Sequence, residues 1–219
     1  MTTARSRRAA LCLLLAGLCA SAARGGDLGR SSVPVRLAGV KKIGIMPIEA
    51  AITRLQFPRA DAPAVEEQEA AVADVRDMEL KILSAREFNP TLVPLTEKLF
   101  TDKPELRFQV TQVQKNAQTA MTMLRTADQT GAEAVIRGSF DELQQLGALS
   151  GADALLFTRV DGWLRTGFGR ILFRSRSSTT VAICLIDANT GQVLFADSST
   201  RSIDPLWRVT ELALEGFRR

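Results

Sequence analysis

The sequence predicts an α/β protein: a mixed sheet with helices packed on it, closing in an antiparallel meander of three strands. Three observations carry this. Apolar residues recur every three or four positions over 64–83 and 114–131, the spacing of one helix face. Three strand-like runs, 154–165, 170–187 and 192–202, are separated by the glycine-bearing turns 166–169 and 188–191. The order strand, helices, strand, helix, helix, three strands, helix places helices over a sheet that is only partly antiparallel.

The elements follow in chain order. Residues 1–22 read as a secretory leader: Arg5, Arg7 and Arg8 form a basic start, residues 9–20 an apolar stretch, and Ala20-Ser21-Ala22 a small-x-small cleavage site. The apolar stretch is short of the ~20 residues a membrane-spanning helix needs. Lipidation at Cys19 is the alternative to cleavage after Ala22, although Leu18 stands where a lipoprotein leader carries a small residue. Residues 23–39 are a Gly-, Ser- and Arg-rich lead-in, and 40–219 are expected to form one α/β domain. Residues 41–50 suit a buried strand that ends or bulges at Pro47, and 51–63, with Pro58 and Pro63, read as loop.

Over 64–83 a helix buries Val72, Val75, Met78 and Ile82, with Glu66, Glu67 and Glu69 near its positive end. Asn89 and Pro90 break it, and 94–100 form a short helix with Pro94 in the first turn. Residues 106–113 alternate as a strand through Phe108 and Val110. The helix 114–131 then shows Ala117, Met121 and Leu124 on one face and stops at Gly131. Ser139 and Glu142 have capping-box spacing and open a helix over 140–149. After the meander, 205–217 read as a closing helix with Leu206, Val209, Leu212 and Leu214 available for packing.

Composition narrows the chemistry. The chain has no His and no Tyr, which removes His-based triads, His bases, His metal ligands and Tyr nucleophiles. Cys184 is the lone thiol after the leader and sits between Ile183 and Leu185, as a core thiol does. Met121 and Met123 have no nearby His or Cys and read as core. Residues 162–169 carry three glycines but lead into strand, unlike a dinucleotide loop, and Ser150-Gly151-Ala152-Asp153 is not a nucleophile elbow. The acid pairs Glu66–Glu67 and Asp141–Glu142 fall on a charged helix face and at a helix N-terminus, where no catalysis is needed to explain them. Asp187 is expected to cap the amides of its own turn. No catalytic, cofactor or metal residue is predicted. The net charge of +4 falls to +1 without the leader's three arginines, so the basic balance gives no ground for a nucleic-acid partner.

The informative stretch is the basic hairpin. Trp163, Arg165, Phe168, Arg170, Phe173 and Arg174 crowd arginines among aromatic rings. Either the arginine stems cover apolar neighbours on a solvated hairpin, or the group is a contact surface for another subunit, an anionic membrane face or an envelope polymer. An 18-residue run at 170–187 would extend about 60 Å as one strand, so the hairpin should bend or project. A projecting hairpin offers free edges for homo-oligomer formation.

The early Lys41–Ile48 strand, the "RFQVTQ" at 107–112, the "GADALLFTRV" at 151–160 and the "VAICLIDANTGQVLFADSS" at 181–199 together resemble one family. It is that of the periplasmic α/β domains grouped around the TolB amino-terminal domain and the CsgG-type curli-export lipoproteins. The resemblance spans roughly residues 40–203. Together with the leader it implies an exported, non-catalytic accessory or assembly protein of an envelope transport or secretion machine, in the periplasm, either free or outer-membrane associated. Such a protein works through envelope partners or copies of itself. A periplasmic small-molecule or glycan binding protein is the alternative reading, and a carboxylate- or Ser-based hydrolase a third.

Overall fold

A computed structural model describes residues 37, 39–57, 60–126, 128–167 and 177–201. The leader, nearly all of the lead-in and the predicted closing helix lie outside the described residues, as do residues 168–176 of the predicted basic hairpin.

Strand β5 (Ala154–Gly167) organises the sheet. On one side it pairs antiparallel with β6 (Ser177–Asp187), and β6 pairs antiparallel with β7 (Val193–Arg201), so the three-strand meander is present. On its other side β5 pairs parallel with two short strands laid end to end. These are β1 (Lys42–Ile45), opposite Ala154–Leu156, and β2 (Glu49–Phe57), opposite Arg159–Gly167. Pro47 sits at the break between them, where its missing N–H interrupts the ladder. Outside β1 lies β4 (Asn89–Leu92), parallel; outside β2 lies the two-residue β3 (Ala62–Pro63), antiparallel. Among the described residues the architecture is a mixed α/β sheet of seven strands.

Helices cover both faces. Helix α1 (Val65–Ala85) packs over β2 and β4. Helices α2 (Glu97–Asp102), α3 (Pro104–Arg125), α4 (Gln129–Arg137) and α5 (Phe140–Ser150) follow β4, and α3 to α5 pack against the opposite face. Two cores result. One joins Val110, Val113, Ala117, Leu143 and Leu146 to Leu155, Phe157, Cys184 and Ile186; the other joins Ala71 and Val75 to Ile43, Ile45, Ile52, Leu156 and Val160. Alternation along β5 sends successive side chains to opposite cores, which is why it is apolar on both faces over Ala154–Phe157.

Several sequence expectations change. Residues 51–57 are strand, not loop: backbone pairing with β5 imposes the extended conformation, and Pro58 follows the last strand residue. Asn89 and Pro90 do not merely break a helix; they open β4, where Pro90 lies on a strand that pairs on one side with β1. The short helix begins at Glu97, with the Thr96 side chain accepting from the Leu99 amide, and Pro94 stays outside it. The strand at 106–113 does not exist. That segment belongs to α3, whose buried stripe Leu106–Val110–Val113–Ala117–Met121–Leu124 runs at helical spacing for its whole length and leaves Phe108 72% exposed.

Gly131 is not a stop but lies in the first turn of α4, where its amide donates to the N-cap carboxylate of Asp128 at 2.9 Å. Ser139 does precede α5, yet it makes no side-chain cap, because its hydroxyl instead accepts from Asn116 of α3. In α1 the buried line is Ala71–Val75–Glu79, so only Val75 of the expected stripe is buried. Of the strand expected over 170–187, residues 177–187 are strand and 170–176 lie outside the described residues.

The Gly-Ala-Asp sequence before β5 has a structural duty. Gly151 adopts a left-handed φ of 63° that ends α5, a conformation cheap for glycine. Asp153 then accepts from the backbone amides of Lys41 and Lys42, both at 2.9 Å, pinning the start of β1 beside β5. These amides hold its carboxyl below the usual aspartate range. Asp153→Ala is expected to lower stability by about 1–2 kcal/mol, read as a lower urea midpoint at unchanged slope. Because the folded-state value is depressed, the stabilisation is present above the ordinary aspartate range and fades on acidification.

Candidate functional site

The candidate site is the part of one sheet face that no helix among the described residues covers. Helix α3 crosses the sheet along one row of paired residues: Glu49 on β2, Arg159 on β5, Ala182 on β6 and Ser198 on β7. It is fixed there by side chains. Gln114 Nε2 donates to the Pro47 carbonyl at 3.1 Å, Gln118 bonds Glu49, and Arg159 Nη1 donates to Gln118 Oε1 at 2.5 Å. Near its C-terminal end, Leu124 and Arg125 border a shallow recess against Ala182, Ala196 and Ser198. Past this row no described residue of that face belongs to the helix-covered core.

Three further rows lie beyond. Ala51, Asp161, Thr180 and Thr200 form the first, with the two threonine hydroxyls 2.7 Å apart. Thr53, Trp163 and Ser178 form the second; Leu55 and Arg165 belong to the third. Strand alternation puts Arg159, Asp161, Trp163 and Arg165 on one face, and their contacts agree. Arg159 Nε donates to both carboxylate oxygens of Asp161 at 2.9 and 2.8 Å, and the Arg165 guanidinium lies 4.6 Å from the centre of the Trp163 ring. The surface is thus polar and aromatic, built from half-buried side chains on a rigid ladder.

Its electrostatics are local. The Asp161 carboxylate raises the Arg159 guanidinium above its ordinary range, outweighing burial. Burial raises the Glu49 carboxyl, Arg159 pulls it back, and Asp161 pushes it further up. Glu49, Arg159, Asp161 and Gln118 therefore form a braced charge network at the foot of α3, beside an aromatic platform.

Of the six predicted interface residues, Trp163 and Arg165 stand together on this face; Phe168, Arg170, Phe173 and Arg174 lie outside the described residues. The sequence reading missed Glu49, Arg159, Asp161 and Gln118. Arg159 and Asp161 stand two apart on a strand, and that spacing alone signals a shared face; Glu49 and Gln118 join them only through the fold. The other singled-out residues are structural. Cys184 is fully buried and its thiol is pushed up to about 12. Asp187 accepts from the amides of Asn189 and Thr190, both at 2.8 Å, inside its turn. Glu67 forks onto Arg54 at 2.7 and 2.8 Å, tying α1 to β2, while Glu66 and Asp141 are exposed. Among the described residues no group of three His, Cys, Asp or Glu is placed to hold a metal ion, and no helix is long and apolar enough to cross a membrane.

Among the described residues, fold and site together define a mixed-sheet α/β protein with helices on both faces and a polar–aromatic sheet surface that none of those helices covers. No protein-family model and no curated protein matches the chain. Among solved structures it is similar to a single-substitution form of the PelC dodecamer from Paraburkholderia phytofirmans, at 13% identity and a TM-score of 0.44 over 87% of this chain and 92% of that one. It is also similar to lipoprotein GNA1162 from Neisseria meningitidis, at 14% identity and a TM-score of 0.37 over 80% and 93% of the two chains. The LpoB C-terminal domain from Salmonella enterica follows at 10% identity and a TM-score of 0.32 over 76% and 87%.

Proposed function

We propose that this chain is an exported, non-catalytic accessory of a cell-envelope transport or assembly machine, acting through protein–protein contacts made on the bare sheet face around Trp163 and Arg165. The observation that carries the reading is that face itself. Trp and Arg are frequent binding anchors, and here they sit on a central strand braced by Asp161, Arg159 and Gln118. The leader-like residues 1–22 and the motif resemblance to the TolB and CsgG group support export and an envelope role.

Site-specific photo-crosslinking in the exported protein tests this. A crosslinker at Thr180, on the bare face, is expected to give one discrete adduct, whereas one at Lys81, exposed on α1, gives none. An adduct of twice the chain mass identifies a second copy as the occupant; any other mass identifies a different partner. Equal yield from both positions, or none from Thr180, rejects the proposal.

A further inference from the structure

The opposite face, the one α1 packs on, carries two carboxyl groups among largely apolar neighbours. Thr158, Ile183 and Asp197 form one row across β5, β6 and β7. Glu79 descends from α1 onto the first of these and accepts from the Thr158 hydroxyl through Oε1. It is 9% exposed, and its Oε2 has no hydrogen-bond partner. Asp197, at the other end of the row, accepts the Ser198 amide at 2.7 Å. Ala71, Val75, Leu156, Val160, Val181 and Ile183 make up the surrounding apolar packing.

Few charges bear on Glu79. On its own helix Arg76 attracts it, and Arg86 caps the helix end. From β5 it meets the Thr158 hydroxyl; Ile183 of β6 is paired with Thr158, and Asp197 of β7 lies one strand further along the same row. On this face β1 and β2 bring Ile43, Ile45 and Ile52, while Arg54 is bound to Glu67 at the far end of the helix. Nothing here solvates a carboxylate fully. Burial therefore outweighs Thr158 and Arg76 and raises Glu79 from 4.5 to about 7; burial raises Asp197 as well.

We propose that α1 is a proton-dependent clasp: with Glu79 protonated the helix is seated on the sheet, and ionisation of Glu79 favours a lifted form that bares the apolar packing beneath. Leaving the carboxylate in place would keep a charge with one unpaired oxygen in the core, whereas a local opening returns it to water. The sign follows from linkage. Below the opened-state value both forms are protonated and the clasp has its full strength. Between that value and about 7 only the opened form loses its proton, so strength falls with rising pH; above about 7 it is level.

Hydrogen exchange of the α1 amides in the full-length protein, corrected for intrinsic rates, measures the opening. Protection is expected to fall about 40-fold between pH 5 and 7 and to level off above that, the consequence of one linked proton. In Glu79→Gln, which keeps an acceptor for Thr158 without the charge, the profile is expected to be flat. If that variant does not fold, the carboxyl carbon-13 shift of Glu79 in the unaltered protein gives the same answer: titration near 7 supports the clasp and titration near 4.5 overturns it. The proposal is also overturned by pH-independent protection in the unaltered protein. A fall shared equally by β5 and β6 amides overturns it too, since that marks global unfolding.

Discussion

Gly44→Val is expected to destabilise the protein by about 2–3 kcal/mol, and Leu155→Ala by about 3–4 kcal/mol. The two residues are paired across β1 and β5 and share a face. A Cβ on Gly44 would stand 2.9 Å from Leu155 Cδ2, 3.0 Å from Ser150 Oγ and 3.1 Å from the Ala152 Cβ, so three neighbours close the space at once. Leu155 is fully buried where the sheet meets the α3–α5 layer, and truncating it leaves a cavity that stiff β-ladders on both sides cannot collapse. Because one side chain occupies the room the other lacks, the effects should not add. The double variant Gly44→Val, Leu155→Ala is expected to be more stable than the sum of the single losses predicts by at least about 1 kcal/mol. Urea unfolding of the four proteins decides it. Strict additivity would mean that the Leu155 side chain does not define the gap over Gly44.

Trp163→Ala is expected to weaken partner engagement at the bare face by about 30-fold or more, the scale of a central interface anchor. Trp163 is half-buried, lies past the row where α3 crosses, and belongs to neither buried core cluster. The fold should therefore tolerate its loss better than that of a core residue, while a docked partner loses its largest flat contact and the surface under Arg165. The measurement is the yield of the adduct formed by a crosslinker at Thr180, titrated against expression level, beside the urea midpoint of the purified variant. A large drop in adduct with a small change in midpoint is the expected pair. Unchanged adduct formation removes Trp163 from the interface, and a collapse of the midpoint makes it a packing residue instead.

The α3 segment shows where local pattern and fold part. Residues 106–113 contain Leu106, Phe108, Val110 and Val113, which alternate well enough over eight positions to suit a strand. Over twenty-two residues the same chain carries an unbroken helical stripe, and only the longer window separates the two periods. Strand β2 fails in the other direction. Its residues alternate weakly and are flanked by prolines, yet nine consecutive pairings with β5 hold it extended. Long-range backbone pairing leaves almost no trace in a local window.

The sequence by itself determined the meander, the helical nature of 64–83, the buried thiol of Cys184, the Asp187 turn and the shared position of Trp163 and Arg165. Each of these follows from local chemistry: side-chain period, a short polar residue bonding its own loop, or alternation along one strand. Only the tertiary structure decided that α3 crosses the sheet along the Glu49–Arg159–Ser198 row, with no described helix over the rows beyond, and that a glutamate of α1 lies against Thr158. Both depend on which surfaces meet across separations of 41 and 79 residues. Such meetings are set by the packing of whole layers, a property no short stretch of chain possesses alone.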